Sequence, residues 1–304
     1  MVTDERLVRE ILNLKRKRDA VILAHNYQIG EVQDIADYTG DSLGLSLQAS
    51  KTRAQVILFC GVGFMAETAA IICPDKVVLM PDENAGCPMA NMITVRQLRE
   101  MKKRYPEARV VCYVNTTAAI KAESDICCTS ANAVKVVSSI PKEIPIIFVP
   151  DKSLGDYVAR QCGREMLLWN GYCPTHHRIL ARHIIAMRRE HPQAVVMVHP
   201  ECTADVIELA DQALSTGGMR RYARETDARE LVVGTEVGLL HSLRKDNPQK
   251  TFYPASDMAD CPNMKLNTLE KMLWALEDMV YQVRVPENIR VRASKAIERM
   301  LSLD

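Results

Sequence analysis

Three cysteines recur at the same place in a repeating pattern along the chain. Cys87, Cys173 and Cys261 each follow a short apolar run, and the steps between them are 86 and 88 residues (173 − 87 and 261 − 173). Each precedes a proline, which fixes φ and removes a backbone donor, as suits a rigid loop. Three thiolates suit zinc or an iron–sulfur cluster. Structural zinc normally takes four protein ligands, whereas a cubane with three keeps one iron open as a Lewis acid.

The other seven cysteines lie in apolar runs or lack a three-fold counterpart. Free cysteine is among the most buried residue types, so these seven are predicted to be structural thiols. No C-x-x-C motif is present, and the usual ferredoxin spacings are absent. The seven are Cys60, Cys73, Cys112, Cys127, Cys128, Cys162 and Cys202.

Side chains that can move or hold protons follow the first apolar run of each repeat. Histidine exchanges protons near neutral pH, and tyrosine or glutamate does so when its site tunes the pKa. Ligand sites of open α/β sheets lie at the carboxyl ends of strands, so these side chains are expected to line one cavity. They are His25, Tyr27, Tyr113, Asn115, His199 and Glu201.

Hydroxyl side chains open predicted helices at corresponding positions, namely Ser42, Ser130 and Ser215-Thr216. Each fits an ordinary N-cap. A helix N-terminus also offers free N–H groups and a favourable dipole to an anion. Three such termini at one cavity predict a substrate with several carboxylate or phosphate groups. His176, three residues after Cys173, is expected beside that cysteine.

The elements that carry these residues repeat three times with a period near 87 residues. Apolar runs at 20–24, 109–114 and 194–198 predict the first strand of each repeat, and two further strands follow in each. Thr39-Gly40-Asp41-Ser42 is predicted to cap a helix running to about 52. Helical spacing predicts further helices, among them 4–17, 31–38, 177–190, 236–245, 267–282 and 287–301.

The predicted fold class is α/β, with three pseudo-threefold-related α/β/α domains around a central cavity, each with a short parallel sheet. Right-handed crossovers place the strand-end loops of each copy on one side, so that three copies can face a common centre. The predicted units are 1–92, with the N-terminal helix and Cys87; 93–176, with Cys173; 177–265, with Cys261; and the C-terminal helices at 266–304.

Composition excludes several classes of protein. The 304 residues are 47% hydrophobic, and 39 basic residues balance 38 acidic ones, so a broad electrostatic hold on nucleic acid or an anionic membrane is not expected. No run of about eighteen apolar residues is present. The charged, amphipathic first twenty residues do not fit a secretory signal. A cytoplasmic, reducing location is therefore expected, where clustered cysteines are more often metal ligands or catalytic groups than disulfides.

Segments along nearly the whole chain resemble the quinolinate synthase family of de novo NAD biosynthesis. They include Ala24-His25-Asn26-Tyr27, Gly40-Asp41-Ser42-Leu43, Gly61-Val62-Gly63-Phe64-Met65-Ala66-Glu67, Cys112-Tyr113-Val114-Asn115-Thr116, Gly171-Tyr172-Cys173, His199-Pro200-Glu201-Cys202, Ser215-Thr216 and Gly234-Thr235-Glu236. One departure is the polar Thr175 in Cys173-Pro174-Thr175-His176, where a more apolar residue is expected.

The resemblance implies one [4Fe-4S] cluster per chain, held by Cys87, Cys173 and Cys261. It implies condensation of iminoaspartate with dihydroxyacetone phosphate to quinolinate, with loss of phosphate and two waters. An upstream aspartate oxidase or dehydrogenase would supply the imine. The implied catalytic residues are Tyr113, Glu201, His25 and His199. The implied substrate-binding residues are His25, Tyr27, Ser42, Tyr113, Asn115, Ser130, His176, His199, Glu201, Ser215 and Thr216.

Two other functions remain open on the sequence. A diphthamide-type radical enzyme also uses three cysteines and a [4Fe-4S] cluster, with S-adenosylmethionine as co-substrate. Its chemistry needs no cluster of proton-transfer groups, which the pairs His25–Tyr27 and His199–Glu201 would form. A non-catalytic metal-binding or redox-sensing protein is the second alternative, and it predicts no effect of changing Tyr113 or Glu201.

Overall fold

The structure, a computed structural model, describes residues 5–303 and contains three parallel four-stranded sheets. Each sheet has the same strand order, in which the second, first, third and fourth strands of a repeat lie side by side. The strands are β1 Ala20–His25, β2 Tyr38–Gly40, β3 Val56–Cys60, β4 Val77–Leu79, β5 Arg109–Tyr113, β6 Ile126–Cys128, β7 Ile146–Val149, β8 Leu167–Leu168, β9 Val195–Val198, β10 Gln212–Ala213, β11 Glu230–Gly234 and β12 Thr251–Pro254.

Helices connect the strands and cover the sheets. None of those in the described part of the chain is long and apolar enough to cross a membrane. They are α1 Glu5–Lys17, α2 Gly30–Ile35, α3 Ser42–Lys51, α4 Gly63–Ile72, α5 Val95–Arg104, α6 Ala118–Lys121, α7 Ala133–Ser138, α8 Lys152–Cys162, α9 Ala181–Glu190, α10 Ala204–Glu208, α11 Thr216–Glu225, α12 Leu239–Asp246, α13 Leu269–Asp278 and α14 Glu287–Leu301.

One hydrogen bond recurs in all three repeats and confirms their common frame. In each repeat, the aspartate directly before the second strand accepts a backbone N–H of the first strand through its Oδ2. The distance is 2.8 Å in all three repeats. The aspartates are separated by 88 and 86 residues (125 − 37 and 211 − 125). The pairs are Asp37–Ile22, Asp125–Val110 and Asp211–Val196.

The strand order places the first strand of each repeat inside its sheet, next to the point where the order reverses. In open parallel sheets, ligands bind beyond the carboxyl ends of the strands at such a point. The interiors of β1, β5 and β9 are buried and apolar, so these strands are fixed by core packing. They therefore hold His25, Tyr113 and His199, at or just after their last residues, on rigid supports.

The sequence prediction missed the second strand of each repeat. β2, β6 and β10 contain only two or three residues and lie at the edge of their sheets, so they offer no pattern long enough to recognise. Thr39 and Gly40, predicted as part of a helix cap, instead pair with Ala24 and His25. The cap itself is Asp41, whose carboxylate accepts the N–H of Gly44 at 2.9 Å.

Four helix boundaries also differ from prediction. α2 ends at Ile35 rather than 38, because the chain turns there into β2. The helix predicted from 177 begins at Ala181, since His176–Arg178 form a 3₁₀ turn. α12 begins at Leu239 rather than 236. α13 ends at Asp278 rather than 282, because Met279 adopts a left-handed conformation with φ 53°. The other predicted helices at 4–17 and 287–301 are found, with residue 4 outside the described range.

The two C-terminal helices pack on the repeats. Met272 and Leu276 of α13 share a buried cluster with Ile11 of α1 and with β1 and β3, so α13 covers the first sheet. Ala293 and Ile297 of α14 belong to the large core that includes the second sheet. The unit boundaries given above, including the separate segment 266–304, stay predictions.

An ion-pair cluster fastens α14 to the second repeat and gives a testable pH dependence. Glu123 accepts hydrogen bonds from Arg99 at 2.6 Å and from Arg292 of α14 at 2.7 Å. Burial raises the pKa of Glu123, but both arginines outweigh it and lower the pKa below its ordinary value. Such a carboxylate stabilises the fold above its unfolded-state pKa, and the contribution is lost as pH falls through the folded-state pKa.

We expect Glu123→Gln to lower the free energy of unfolding by about 1–2 kcal/mol at neutral pH. This value lies between the contribution of an exposed ion pair and that of a hydrogen bond to a charged group. The difference from the unmodified chain should shrink as the pH falls through the lowered folded-state pKa of Glu123. It should vanish below that pKa, where the carboxyl is protonated in both the folded and the unfolded chain. Urea unfolding across this pH range measures it. Glu10→Gln, in an exposed helical pair with Arg6, is the control and should have little effect. Equal effects of the two changes would contradict the assignment.

Candidate active site

The three cysteine loops are built in the same way. In each repeat, a backbone N–H just after the third strand donates to a carbonyl two residues before the cysteine, at 2.8 to 3.0 Å. Each Cys-Pro pair then leads into a 3₁₀ turn, at Met89–Asn91, His176–Arg178 and Met264–Leu266. The bonded pairs are Gly63–Ala85, Lys152–Gly171 and Val237–Ala259.

All three cysteines line one central cavity of about 150 Å³. Burial raises the pKa of each thiol, that of Cys87 to about 12, so without a cation they are neutral. Backbone N–H groups of the following 3₁₀ turns point at the sulfurs and favour the thiolates. Hydrogen bonds to sulfur of this kind surround ligated cysteines in metal and cluster sites. The donor set therefore fits a metal centre with three thiolate ligands.

A second group of donors in the same cavity has metal-ligand chemistry. Ligand atoms of Cys173, His176 and Glu201 lie within 4.8 Å of one another. His176 bonds to both of the others, because its Nδ1 is 2.7 Å from Glu201 Oε2 and 3.2 Å from Cys173 Sγ. The three side chains thus form a triangle that His176 holds together. All ten cysteines, which fall within the described residues, are free thiols.

His25 and His199 hold their rings in the same way. Nδ1 of each ring accepts the backbone N–H two residues later, from Tyr27 and Glu201 respectively, at 3.2 Å. The ring proton is therefore on Nε2, and in His199 it points to Ser130 Oγ at 3.1 Å. Burial lowers the pKa of both histidines to about 3. At neutral pH both act as uncharged hydrogen-bond donors into the cavity, which differs from the proton exchange that the sequence suggested.

Glu201 is the charged centre of the cavity wall. Its Oε1 accepts from Tyr113 Oη at 2.5 Å and from Asn115 Nδ2 at 3.4 Å. Burial disfavours the carboxylate, but His176, His199 and Tyr113 outweigh it and hold the pKa of Glu201 below its ordinary value. Burial and the nearby Glu201 raise the pKa of Tyr113 well above its ordinary value, so it remains a phenol.

One buried hydroxyl links all three repeats. Thr235 Oγ1 lies 2.6 Å from Tyr27 Oη and 2.9 Å from His176 Nε2. The rings it holds pack on the two strand-end histidines, since Tyr27 meets His25 edge-on at 4.5 Å and His176 stacks on His199 at 4.6 Å between centroids. Thr235 had no role in the sequence prediction, although it stands at the end of a predicted strand.

Two helix N-termini contribute to the wall of the cavity. Ser42 begins α3 and Thr216 begins α11, and both line the cavity. Thr216 Oγ1 is also tied to Asn26 of the first repeat, which donates to it at 2.9 Å. A Cβ at Gly217 would lie 2.6 Å from Asp41 Oδ2, so the side chain that caps α3 would have to move. The arrangement offers the N-termini of two helices to an anion, where the sequence analysis predicted three.

Most of the predicted site residues are brought together in this cavity. Ser215 is an exception, because it caps α11 by accepting the N–H of Gly218 and is outside the lining set. Ser130 lines the cavity, but it lies before α7 and is not the first residue of that helix.

The sequence analysis did not predict the apolar part of the cavity wall. The predicted residues that line the cavity are His25, Tyr27, Ser42, Cys87, Tyr113, Asn115, Ser130, Cys173, His176, His199, Glu201, Thr216 and Cys261; those of the apolar wall are Val62, Phe64 and Met65.

The chain is similar over almost its whole length to proteins of one family. A family model described as "Quinolinate synthetase A protein" matches residues 9–302. A quinolinate synthase of Thermodesulfovibrio yellowstonii is 55% identical over 299 residues, covering 98% of both chains. One of Dehalococcoides mccartyi (strain CBDB1) is 55% identical over 297 residues with the same coverage. One of Methanosarcina barkeri is 54% identical over 297 residues, covering 98% of this chain and 97% of its own.

Proposed function

The chain belongs to the quinolinate synthetase A family, and on this basis we propose that it condenses iminoaspartate with dihydroxyacetone phosphate to quinolinate. The reaction releases phosphate and two waters and would serve de novo NAD biosynthesis. The observation that carries the proposal is the meeting of three equivalent cysteine loops with the Tyr113–Glu201 pair in one cavity. An aspartate oxidase or dehydrogenase would supply the imine.

Cys87, Cys173 and Cys261 would hold one [4Fe-4S] cluster. Its iron without a protein ligand would supply a Lewis acid for a substrate oxygen or nitrogen. The fit rests on the donor chemistry, which is three half-buried cysteines whose thiolates are favoured by nearby backbone N–H groups. A cation is the partner that such thiols need to become thiolates.

A zinc ion at Cys173, His176 and Glu201 is the competing metal centre, and the contacts favour the three cysteines. His176 uses Nδ1 on Glu201 and Nε2 on Thr235, and Glu201 uses its other oxygen on Tyr113. A metal at the triangle would break these buried hydrogen bonds. Cys87 and Cys261 take no part in this network.

Substrate anions are bound by neutral donors in this proposal. The Nε2–H groups of His25 and His199 and the hydroxyls of Ser42, Ser130 and Thr216 would hold carboxylates or phosphate, with help from the N-termini of α3 and α11. Asn115 Oδ1 is buried without a hydrogen-bond partner, so it is placed to accept an N–H of the substrate. Tyr27 and His176 would border the bound molecules.

Proton transfers belong to Tyr113 and Glu201. The carboxylate is positioned to take a proton from a substrate carbon or nitrogen, and the Tyr113 phenol is positioned to donate one to a departing or enolic oxygen. Their mutual hydrogen bond keeps Glu201 charged and Tyr113 protonated before the substrate enters. Imine formation, tautomerisation and dehydration each need such transfers.

The experiment that tests the function is an anaerobic assay of the purified chain with both substrates, in which quinolinate and phosphate are measured. Quinolinate formation without S-adenosylmethionine is expected. Turnover that depends on S-adenosylmethionine would instead support the diphthamide-type enzyme. No turnover, in protein that carries its cluster, would leave a binding or sensing role.

Ser130 provides a test of anion binding. The change Ser130→Ala removes a hydroxyl from the cavity and the partner of His199 Nε2. We expect KM to rise about 10- to 100-fold, as for loss of a hydrogen bond to a charged group, with a smaller change in kcat. Ser139→Ala is the control, since this hydroxyl bonds a carbonyl of α7. An unchanged KM in Ser130→Ala would exclude Ser130 from substrate binding.

A further inference from the structure

Thr235 holds side chains from the two other repeats behind the cavity wall. It follows β11 in the third repeat, is 1% exposed and lies outside the lining set. Its hydroxyl bonds Tyr27 of the first repeat and His176 of the second. The separation of Tyr27 Oη and His176 Nε2 from each other is longer, at 3.4 Å. Tyr27 and His176 are therefore joined more closely through Thr235 than directly to each other.

The chemistry of these contacts requires a hydroxyl. The Glu201 carboxylate only accepts, so His176 Nδ1 carries the proton of that bond. Nε2 on the other side of the ring then meets an atom that can donate or accept. Burial raises the pKa of Tyr27 well above its ordinary value, so its phenol remains a donor. A hydroxyl can serve both neighbours at once, whereas a methyl group of the same size serves neither.

The segment that carries Thr235 is itself anchored. The carboxylate of the next residue, Glu236, accepts from Lys265 Nζ at 2.7 Å and from the backbone N–H of Cys261 at 3.1 Å. Lys265 Nζ also donates to the carbonyl of Tyr27 at 2.6 Å. Tyr27 is thus held at its backbone by Lys265 and at its hydroxyl by Thr235, both from the third repeat.

We propose that Thr235 is a positioning residue for the proposed reaction, whose hydroxyl fixes Tyr27 and His176 in the arrangement that binds and orients the substrates. The proposal rests on the proposed function. Through the two rings, Thr235 also sets the packing of His25 and His199. A shift of about 1 Å in groups that orient substrate lowers rates about 100-fold, so a residue that never touches substrate can have a large effect.

The test compares Thr235→Val and Thr235→Ser in protein that carries its full iron content. We expect Thr235→Val to lower kcat about 10- to 100-fold, because the reacting groups lose orientation. Thr235→Ser keeps the hydroxyl and should return kcat to within about threefold of the unmodified chain. Steady-state kcat and KM for both substrates, iron and sulfide content, and the thermal midpoint are measured on each variant.

Thr68→Val is the matched control, because it makes the same change at a buried threonine whose hydroxyl bonds a carbonyl of its own helix, that of Phe64. A purely structural role for Thr235 would lower the thermal midpoint of both valine variants while kcat stays unchanged, and would overturn the proposal. If Thr235→Val does not fold, Thr235→Ser decides alone, since a loss of more than about tenfold would show that the hydroxyl is not sufficient. Inactivity of the unmodified chain would instead refute the proposed function.

Discussion

Replacing Cys87, Cys173 or Cys261 by alanine is expected to abolish iron loading. Protein purified without oxygen should contain about four iron and four sulfide per chain, and each single variant should retain less than about a quarter of that. The reason is geometric. Each thiol comes from a different repeat, so each replacement leaves the cluster without any ligand from one repeat. Iron and sulfide analysis, with visible and electron-spin spectra, measures the loss.

Cys162→Ala is the matched control for this experiment. Cys162 is half-buried like the three proposed ligands, but it lies at the end of α8 and bonds Ser138 and a carbonyl of α7. Its replacement should leave the iron content unchanged. A second comparison separates the two candidate centres, because Cys87 lies outside the triangle of Cys173, His176 and Glu201. Zinc that survives in Cys87→Ala and is lost in His176→Ala would overturn the three-cysteine centre.

The frame of the fold could be read from the sequence because each repeat has strong local signals. The buried first strands β1, β5 and β9 are continuous apolar runs, and their spacing of about 87 residues recurs in the cysteines. The edge strands β2, β6 and β10 could not be read, because two or three paired residues depend on a neighbouring strand rather than on their own pattern. The Asp37 contact that marks β2 is visible only once the sheet is formed.

The candidate site was predictable in its members but not in its contacts. Strand-end positions identified Tyr113, His199 and Glu201, since the carboxyl ends of parallel strands face one side. Their protonation states follow from burial and from partners in other repeats, which periodicity does not reveal. Thr235 was missed for the same reason, because its importance lies in two side chains far away in the sequence. Ser215 fitted both a cap and an anion site, and the structure gives it the cap.

Loss of the Tyr113 hydroxyl is expected to lower turnover strongly while it leaves the metal centre intact. Tyr113→Phe keeps the buried ring and removes only the donor to Glu201 Oε1. General acid–base groups contribute about 10²- to 10⁴-fold, so kcat should fall within that range. The kcat of Glu201→Gln should fall at least as far, because the amide cannot take up a proton. Single-turnover quinolinate formation at matched iron content measures both.

The double variant decides whether the two residues act together. If Tyr113 and Glu201 serve the same proton transfers, combining Tyr113→Phe with Glu201→Gln should cost little more than the worse single change. Tyr157→Phe, at a half-buried tyrosine of the second repeat, is the control and should keep full activity. A Tyr113→Phe variant within about threefold of the unmodified chain would exclude Tyr113 as a proton donor. Additive losses would mean that the two groups act in separate steps, and their 2.5 Å contact would then serve only to set their charges before the substrate binds.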